Sequence, residues 1–208
     1  MNFHKITDTS STEFEEAIRI YVESFPENER RPVAAIKEMI KMDRSRLMVG
    51  KRENKIVLMS LLYPIKGTPF LLVDYLATAK EYRSTGMGRA FLRRILNGID
   101  DIRTNFIIIE IENPYLDEDE TKTKRLKFYK SIGMKELRGV RYVLPPFQGT
   151  EPVELILMLF SRESADHLAG KVLRGVVVQL FGELYNRFEG DEFLTLTLGS
   201  IPDSVRLI

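Results

Sequence analysis

Residues 73–92, V-D-Y-L-A-T-A-K-E-Y-R-S-T-G-M-G-R-A-F-L, pass from an apolar strand through a loop with Gly86 and Gly88 into a helix. This join restricts the chain to folds built on a strand–loop–helix unit, and it is where such folds hold anions. Glycine lets the backbone take positive φ and come close to a ligand. The exposed N–H groups and positive dipole of a helix start favour a pyrophosphate, and Arg83 and Arg89 add charge to the same place. A dinucleotide fingerprint needs G-x-G-x-x-G, but Phe91 stands at the third glycine. A P-loop needs G-K-[ST], and the chain has G-R-A. A G-x-G turn that only links strand to helix is the plain alternative.

Around this segment the hydrophobic period changes along the chain. Phe14, Ala17, Ile18, Tyr21, Val22 and Phe25 recur at helical spacing over 12–25. Thr12 and Glu15 offer a capping box at the start of that helix, and Pro26 ends it. P-E-N-E-R-R is a charged connector. Pro32 then opens a second helix with Val33, Ile36 and Ile40 inward. L-M-V-G-K and K-I-V-L-M-S-L-L-Y-P, separated by R-E-N, read as a hairpin. F-L-L-V-D-Y-L-A-T is a strand covered on both faces. A helix over 86–99 follows, with Ala90, Phe91, Ile95 and Ile99 recurring. N-F-I-I-I-E-I-E is the next buried strand. An acidic loop leads to a helix through Tyr129, closed by Gly133. Two strands, near 139–144 and 153–160, are joined through P-P-F-Q-G-T. The order is mixed α/β, with a strand–helix–strand crossover that implies a parallel pair.

Residues 161–208 read as an extension. Leu168, Val172, Val176, Leu180, Leu184 and Phe188 trace a four-residue step along a helix of about six turns. F-L-T-L-T-L then alternates like a short strand. The apolar helix either packs on the main domain or meets a second copy, so a homodimer is an expectation.

Composition narrows the function classes. The net charge of +1 gives no bulk field for nucleic acid or an anionic membrane. The absence of cysteine removes disulfides, thiolate metal sites and a cysteine nucleophile. His4 and His167 show no partner pattern, so no metal site is expected. The N-terminus lacks the basic-then-apolar pattern of a secretion signal. No uncharged apolar run reaches the ~18 residues of a membrane span, and a cytoplasmic protein is the expectation.

R-S-T-G-M-G resembles the acetyl-CoA pyrophosphate signature [Q/R]-x-x-G-x-[G/A] of the GNAT superfamily of N-acetyltransferases. D-Y-L-A-T looks like that family's fourth strand, and K-R-L-K-F-Y-K-S-I-G-M is similar to its second motif. One helix and one strand lie between the two motifs, as in the family. Y-V-E-S-F-P-E-N-E-R and I-E-I-E-N-P resemble a bacterial subgroup. The resemblance covers roughly 1–160 and leaves 161–208 unexplained. It implies a central mixed sheet flanked by helices, acetyl-CoA as co-substrate, and a small-molecule or peptide amine as acceptor. By the same resemblance, cofactor contacts fall on Leu76, Ala77, Thr78, Arg83, Ser84, Thr85, Gly86, Met87, Gly88, Arg89 and Phe128. Many family members carry Asn seven residues before the motif tyrosine. Here that position is Lys122, which puts one pantetheine contact in doubt while offering a cation to a phosphate.

Acetyl transfer needs a neutral amine, a stabilised oxyanion and a departing thiolate. An alkylamine with pKa about 10.4 is almost wholly charged at pH 7, so a base matters. Tyr129 matches the motif tyrosine that, by resemblance, protonates the coenzyme A sulfur; packing beside Phe128 is its other reading. Glu110 and Glu112, two apart on one strand, face one side, and Asp74 sits on the strand before them. Any of the three is a candidate base if burial raises its pKa. Glu112 is nearest the loop where substrate would enter and ranks first. The oxyanion donor is expected from a main-chain N–H near Leu76 or Ala77. Glu23, Glu27 and Glu29 attract a cationic acceptor or are simply solvated, and D-E-D-E at 117–120 is solvated surface. Two rival readings remain: a non-catalytic acyl-CoA sensor on this fold, and an interaction protein acting through its last helix.

Overall fold

The computed structural model describes residues 2–98, 104–145 and 152–208. Expectations for Ile99 and for most of the P-P-F-Q-G-T connection fall outside these residues. The chain divides into two compact units, Met1–Pro64 with Leu71–Ile102, and Ile65–Phe70 with Arg103–Ile208.

The first unit contains strands β1 (Asn2–Ile6), β2 (Arg46–Arg52), β3 (Lys55–Pro64) and most of β4 (Phe70–Thr78), and helices α1 (Thr12–Ser24), α2 (Val33–Lys41) and α3 (Met87–Leu96). The four strands pair in order, each antiparallel to the next. β1 escaped the sequence reading because it is five residues long and buries only Ile6 completely, too little to set a period. α1 and α2 cover one sheet face with Phe14, Ala17, Tyr21 and Ile36, packed on Leu47, Val49, Met59, Leu61, Tyr75 and Ala77. α3 covers the other face. Phe91 meets Phe3 edge-on at 5.3 Å, and the Phe3 ring lies over Gly50, where a Cβ would come within 2.8 Å of it. α1 is capped one residue earlier than the Thr12 box: Ser11 Oγ accepts from the Phe14 N–H. Ser11 has the extended backbone that an N-cap requires, whereas Thr12 is already helical.

The second unit is built on β5 (Phe106–Glu112) and β8 (Val153–Ser161), antiparallel from Phe106↔Ser161 to Glu112↔Leu155. Short strands β6 (Lys135–Glu136) and β7 (Tyr142–Leu144) also pair with β8. α4 (Glu120–Lys130) lies between β5 and β6 in the chain. Gly133 (φ 92) closes it, with Gly133 N–H on the Lys130 carbonyl and Met134 N–H on that of Tyr129. That pair of bonds is a Schellman motif, as the glycine implied.

Residues 161–208 belong to this unit. β9 (His167–Ala169) and β10 (Ser204–Arg206) pair antiparallel around α5 (Gly170–Tyr185) and α6 (Glu192–Ser200). The predicted stripe on α5 is corrected. Its buried face is Leu173, Val176, Val177, Leu180, Phe181 and Leu184, whereas Val172 is 45% and Phe188 62% exposed. A constant step of four gains about 40° per repeat on a 3.6-residue helix, so the true face must mix steps of three and four. Leu168 lies in β9, and Asn186 stops α5 in the left-handed conformation (φ 53). The expected strand F-L-T-L-T-L is the helix α6. Asp191 caps it by accepting from Phe193 and Leu194 N–H groups, and burial picks Leu194 and Thr197 while Leu196 stays 39% exposed. Thr197 Oγ1 accepts from the Val143 N–H at 3.2 Å, and Ser200 Oγ from Arg141 N–H at 2.9 Å. A partner that hydrogen-bonds at i and i+3 selects the helix over the alternating strand.

Candidate active site

In the first unit the pairing of β3 and β4 skips a residue: Leu62 opposes Val73 and Leu61 opposes Tyr75. Asp74 is therefore the extra residue of a β-bulge, which bends the strand. Past the bulge, Ala79 N–H donates to the Val57 carbonyl at 2.9 Å. In an antiparallel ladder this assigns Ala77 to β3 and turns the main-chain groups of Leu76 and Thr78 away from it. Of the two expected oxyanion donors, Leu76 has an N–H directed away from β3, while that of Ala77 belongs to the ladder. The Thr78 carbonyl accepts from Arg83 Nε at 3.2 Å.

The loop continues through a single 3-10 turn at Lys80–Tyr82 to Ser84 (φ 61) and Gly86 (φ 83), both left-handed. Thr85 Oγ1 donates to the Tyr82 carbonyl at 2.6 Å and braces the loop. Gly86 is the N-cap of α3 and supplies no side-chain cap, and the first turn has no acidic residue. Ala90 N–H reaches the Gly86 carbonyl at 2.9 Å. The N–H groups of Met87 and Gly88 therefore belong to the first turn, where helical geometry gives them no partner inside the helix. The Met87 side chain is buried in the unit, so only its main chain faces that end. Arg83 also donates to Ser24 Oγ at 3.4 Å, tying the loop to the end of α1. An open cleft of about 400 Å³ borders Thr85 and Met87 and is also lined by Lys51, Arg52 and Glu53, with Lys51 ion-paired to Glu13 and Arg52 to Glu53.

Asp74 is enclosed rather than open to a substrate. Its side chain is 4% exposed and faces Arg31, itself 6% exposed, at 3.5 Å. Burial raises its carboxyl pKa, and Arg31 opposes that shift. Tyr21 Oη donates to the Arg31 carbonyl at 3.1 Å, and Tyr75 Oη to the Glu29 carbonyl at 2.9 Å. The cluster fastens the charged connector after α1 to β4. Sequence reading missed Arg31, because nothing local distinguishes it from Arg30.

In the second unit, Glu112 is ion-paired with Arg125 of α4. Arg125 shares a helix face with Tyr129, four residues on, and is the charge that pulls the Tyr129 pKa downward. Burial outweighs it, and the hydroxyl is pushed up to about 12. The ring stands edge-on to Phe128 at 5.1 Å. Glu110 accepts hydrogen bonds from Tyr142 Oη at 2.6 Å and Tyr185 Oη at 3.2 Å. Lys122, expected near a phosphate, is instead held by Asp117 at 2.5 Å. Arg125 was legible as an i, i+4 neighbour of Tyr129. Tyr142 and Tyr185 were not, since 32 and 75 residues separate them from Glu110. Among the described residues, no group of His, Asp and Glu could hold a metal, and no helix is long and apolar enough to cross a membrane.

No protein-family model and no curated protein sequence matches the chain. Solved structures do match its fold. A protein assigned as a GNAT-family acetyltransferase from Bacteroides thetaiotaomicron superposes with TM-score 0.75 at 20% identity, covering 90% of this chain and 99% of that one. The fold is that of the GNAT acetyltransferases. Its architecture is mixed α+β, with helices flanking a central mixed sheet. The ribosomal-protein-S18-alanine N-acetyltransferase of Escherichia coli matches with TM-score 0.56 at 15% identity, covering 77% of this chain and 92% of that one. A GNAT-family acetyltransferase of Elizabethkingia anophelis, solved with acetyl-CoA bound, matches with TM-score 0.53 at 16% identity, covering 77% and 97%.

Proposed function

We propose that this protein is an acetyl-CoA-dependent N-acetyltransferase that moves an acetyl group to a primary amine by direct attack in a ternary complex. The observation that carries this reading is the open first turn of α3, reached from a bulged strand through two left-handed residues. Main-chain N–H groups of Met87 and Gly88 suit a pyrophosphate there, and Arg83 stands in the loop that leads to them. The outward main chain of Leu76 and Thr78 suits the amide-bearing pantetheine arm, and the Leu76 N–H suits the developing oxyanion. The acetyl-CoA-bound Elizabethkingia protein of like fold supports the choice of cofactor.

In this mechanism a carboxylate of β5 takes one proton from the acceptor ammonium, directly or through water, and passes it to solvent. The neutral amine forms the C–N bond, the C–S bond breaks, and Tyr129 protonates the leaving sulfur. The second amine proton, lost as the amide forms, restores Tyr129. We take Glu110 as the base: it accepts from two phenols, whereas Glu112 is bound by a guanidinium that proton transfer would have to disturb. Asp74 serves the fold through Arg31. Small-molecule and peptide amines both fit this chemistry as acceptors.

Calorimetric titration with acetyl-CoA tests the reading. The wild type should bind at one saturable site, and Gly88→Val should weaken binding about a hundredfold, or ~2.8 kcal/mol, because a side chain would occupy the phosphate's approach. Equal affinity of the two would remove the cofactor from this loop. Saturable binding without turnover of any amine would favour the acyl-CoA sensor.

A further inference from the structure

We infer that Tyr185, with Tyr142, positions the Glu110 carboxylate for proton abstraction, making the C-terminal helix part of the catalytic unit; this rests on the acetyltransferase reading above. Both oxygens of Glu110 accept from phenols: Oε1 from Tyr142 at 2.6 Å and Oε2 from Tyr185 at 3.2 Å. Two donors on two oxygens fix the plane of a carboxylate that one donor would leave free to rotate. The donors are themselves held. Tyr142 is fully buried and stands perpendicular to Phe181 at 5.9 Å, and Phe181 meets Tyr185 at 5.8 Å. Phe181 and Tyr185 lie four apart on α5, so one helix face carries both the wedge and the donor. Tyr185 is the last residue of α5, and the left-handed Asn186 stops the helix there. Gly170 seats the other end of α5, where any side chain would strike the Pro202 carbonyl at 1.9 Å. Both termini of the helix are thus anchored with Tyr185 pointing at Glu110.

This arrangement acts on one step only, the removal of a proton from the acceptor. Primary alkylamines are protonated at pH 7 and need that step; hydroxylamine is neutral at pH 7 and does not. A group that orients the base should therefore matter for the first nucleophile and not for the second. A group that merely supports packing should affect both alike.

The experiment measures coenzyme A release from acetyl-CoA at pH 7 with n-butylamine and with hydroxylamine, for the wild type, Tyr185→Phe, Tyr142→Phe and Glu110→Gln. Phenylalanine keeps the ring and deletes only the donor. Tyr185→Phe should slow butylamine transfer about tenfold in kcat, in keeping with the cost of a misplaced catalytic group. Glu110→Gln should slow it a hundredfold or more. Hydroxylamine rates and calorimetric acetyl-CoA affinity should stay within about twofold in both. Equal loss with both nucleophiles, or no loss in Tyr185→Phe while Glu110→Gln is impaired, would overturn the positioning role. A wild type that binds acetyl-CoA and releases no coenzyme A with either nucleophile would overturn the transferase reading itself, and the role of Tyr185 with it.

Discussion

A tyrosine pushed up to about 12 by burial keeps its proton throughout the range in which enzymes work, so Tyr129 would meet a departing thiolate as the protonated phenol. Tyr129→Phe removes that proton and little else. Turnover should fall about ten- to a hundredfold with acetyl-CoA affinity unchanged, read by steady-state rates beside calorimetry. The wild-type rate should show no alkaline loss assignable to Tyr129 below about pH 11. Arg31 has the opposite character, a buried charge whose value lies in its partner. Arg31→Met would strand Asp74 in the interior, where breaking a buried pair costs about 3–5 kcal/mol. A thermal melt should drop by roughly 10 °C; a drop of under 2 °C would mean that no buried ion pair was broken.

Among the elements, α3 and α6 show how little local sequence separates an uncapped helix start from a capped one. Both follow a left-handed glycine or nearly so, Gly86 at φ 83 and Gly190 at φ 92. α6 then closes its own N-terminus with Asp191, whereas α3 has neither a side-chain cap nor an acid in its first turn. A helix that satisfies its first N–H groups is finished; one that leaves them open can accept an anion. Asp191→Ala should cost about 1 kcal/mol, seen as a lower urea midpoint at unchanged slope, with acetyl-CoA affinity untouched. The open start of α3 was legible from R-S-T-G-M-G, because glycine spacing and flanking arginines are local properties. The helix α6 was misread as a strand because F-L-T-L-T-L satisfies a period of two as well as it satisfies a helix. The cap and the bonds to Val143 and Arg141 decide the matter.

On the scale of the molecule, both units bury tyrosines whose hydroxyls ionise late. Tyr21 in the first unit and Tyr129 in the second are each pushed up to about 12, mainly by burial, and burial raises Tyr75 as well. The unfolded chain ionises its tyrosines near pH 10 and the native chain near 12, so the native state holds more protons between these values. Stability is therefore full below pH 10 and falls as pH rises through 12, by up to about 3 kcal/mol for each of the two groups. Urea midpoints should be flat from pH 7 to 9 and decline by pH 11. A flat curve to pH 11 would place these hydroxyls in contact with water.

The amino-acid sequence by itself determined the order of the larger elements, the glycine-containing turn into α3, and the motif pair on which the resemblance rests. These are carried by residues within about one helical turn or one strand of each other, where spacing alone fixes geometry. Tertiary structure decided the partners of the carboxylates. Glu112 meets Arg125, Asp74 meets Arg31 and Glu110 meets Tyr142 and Tyr185, across 13 to 75 residues of chain. It also decided which face of α5 is buried and that α6 is helical, because a short apolar pattern leaves several conformations close in energy, and only packing against a particular neighbour separates them.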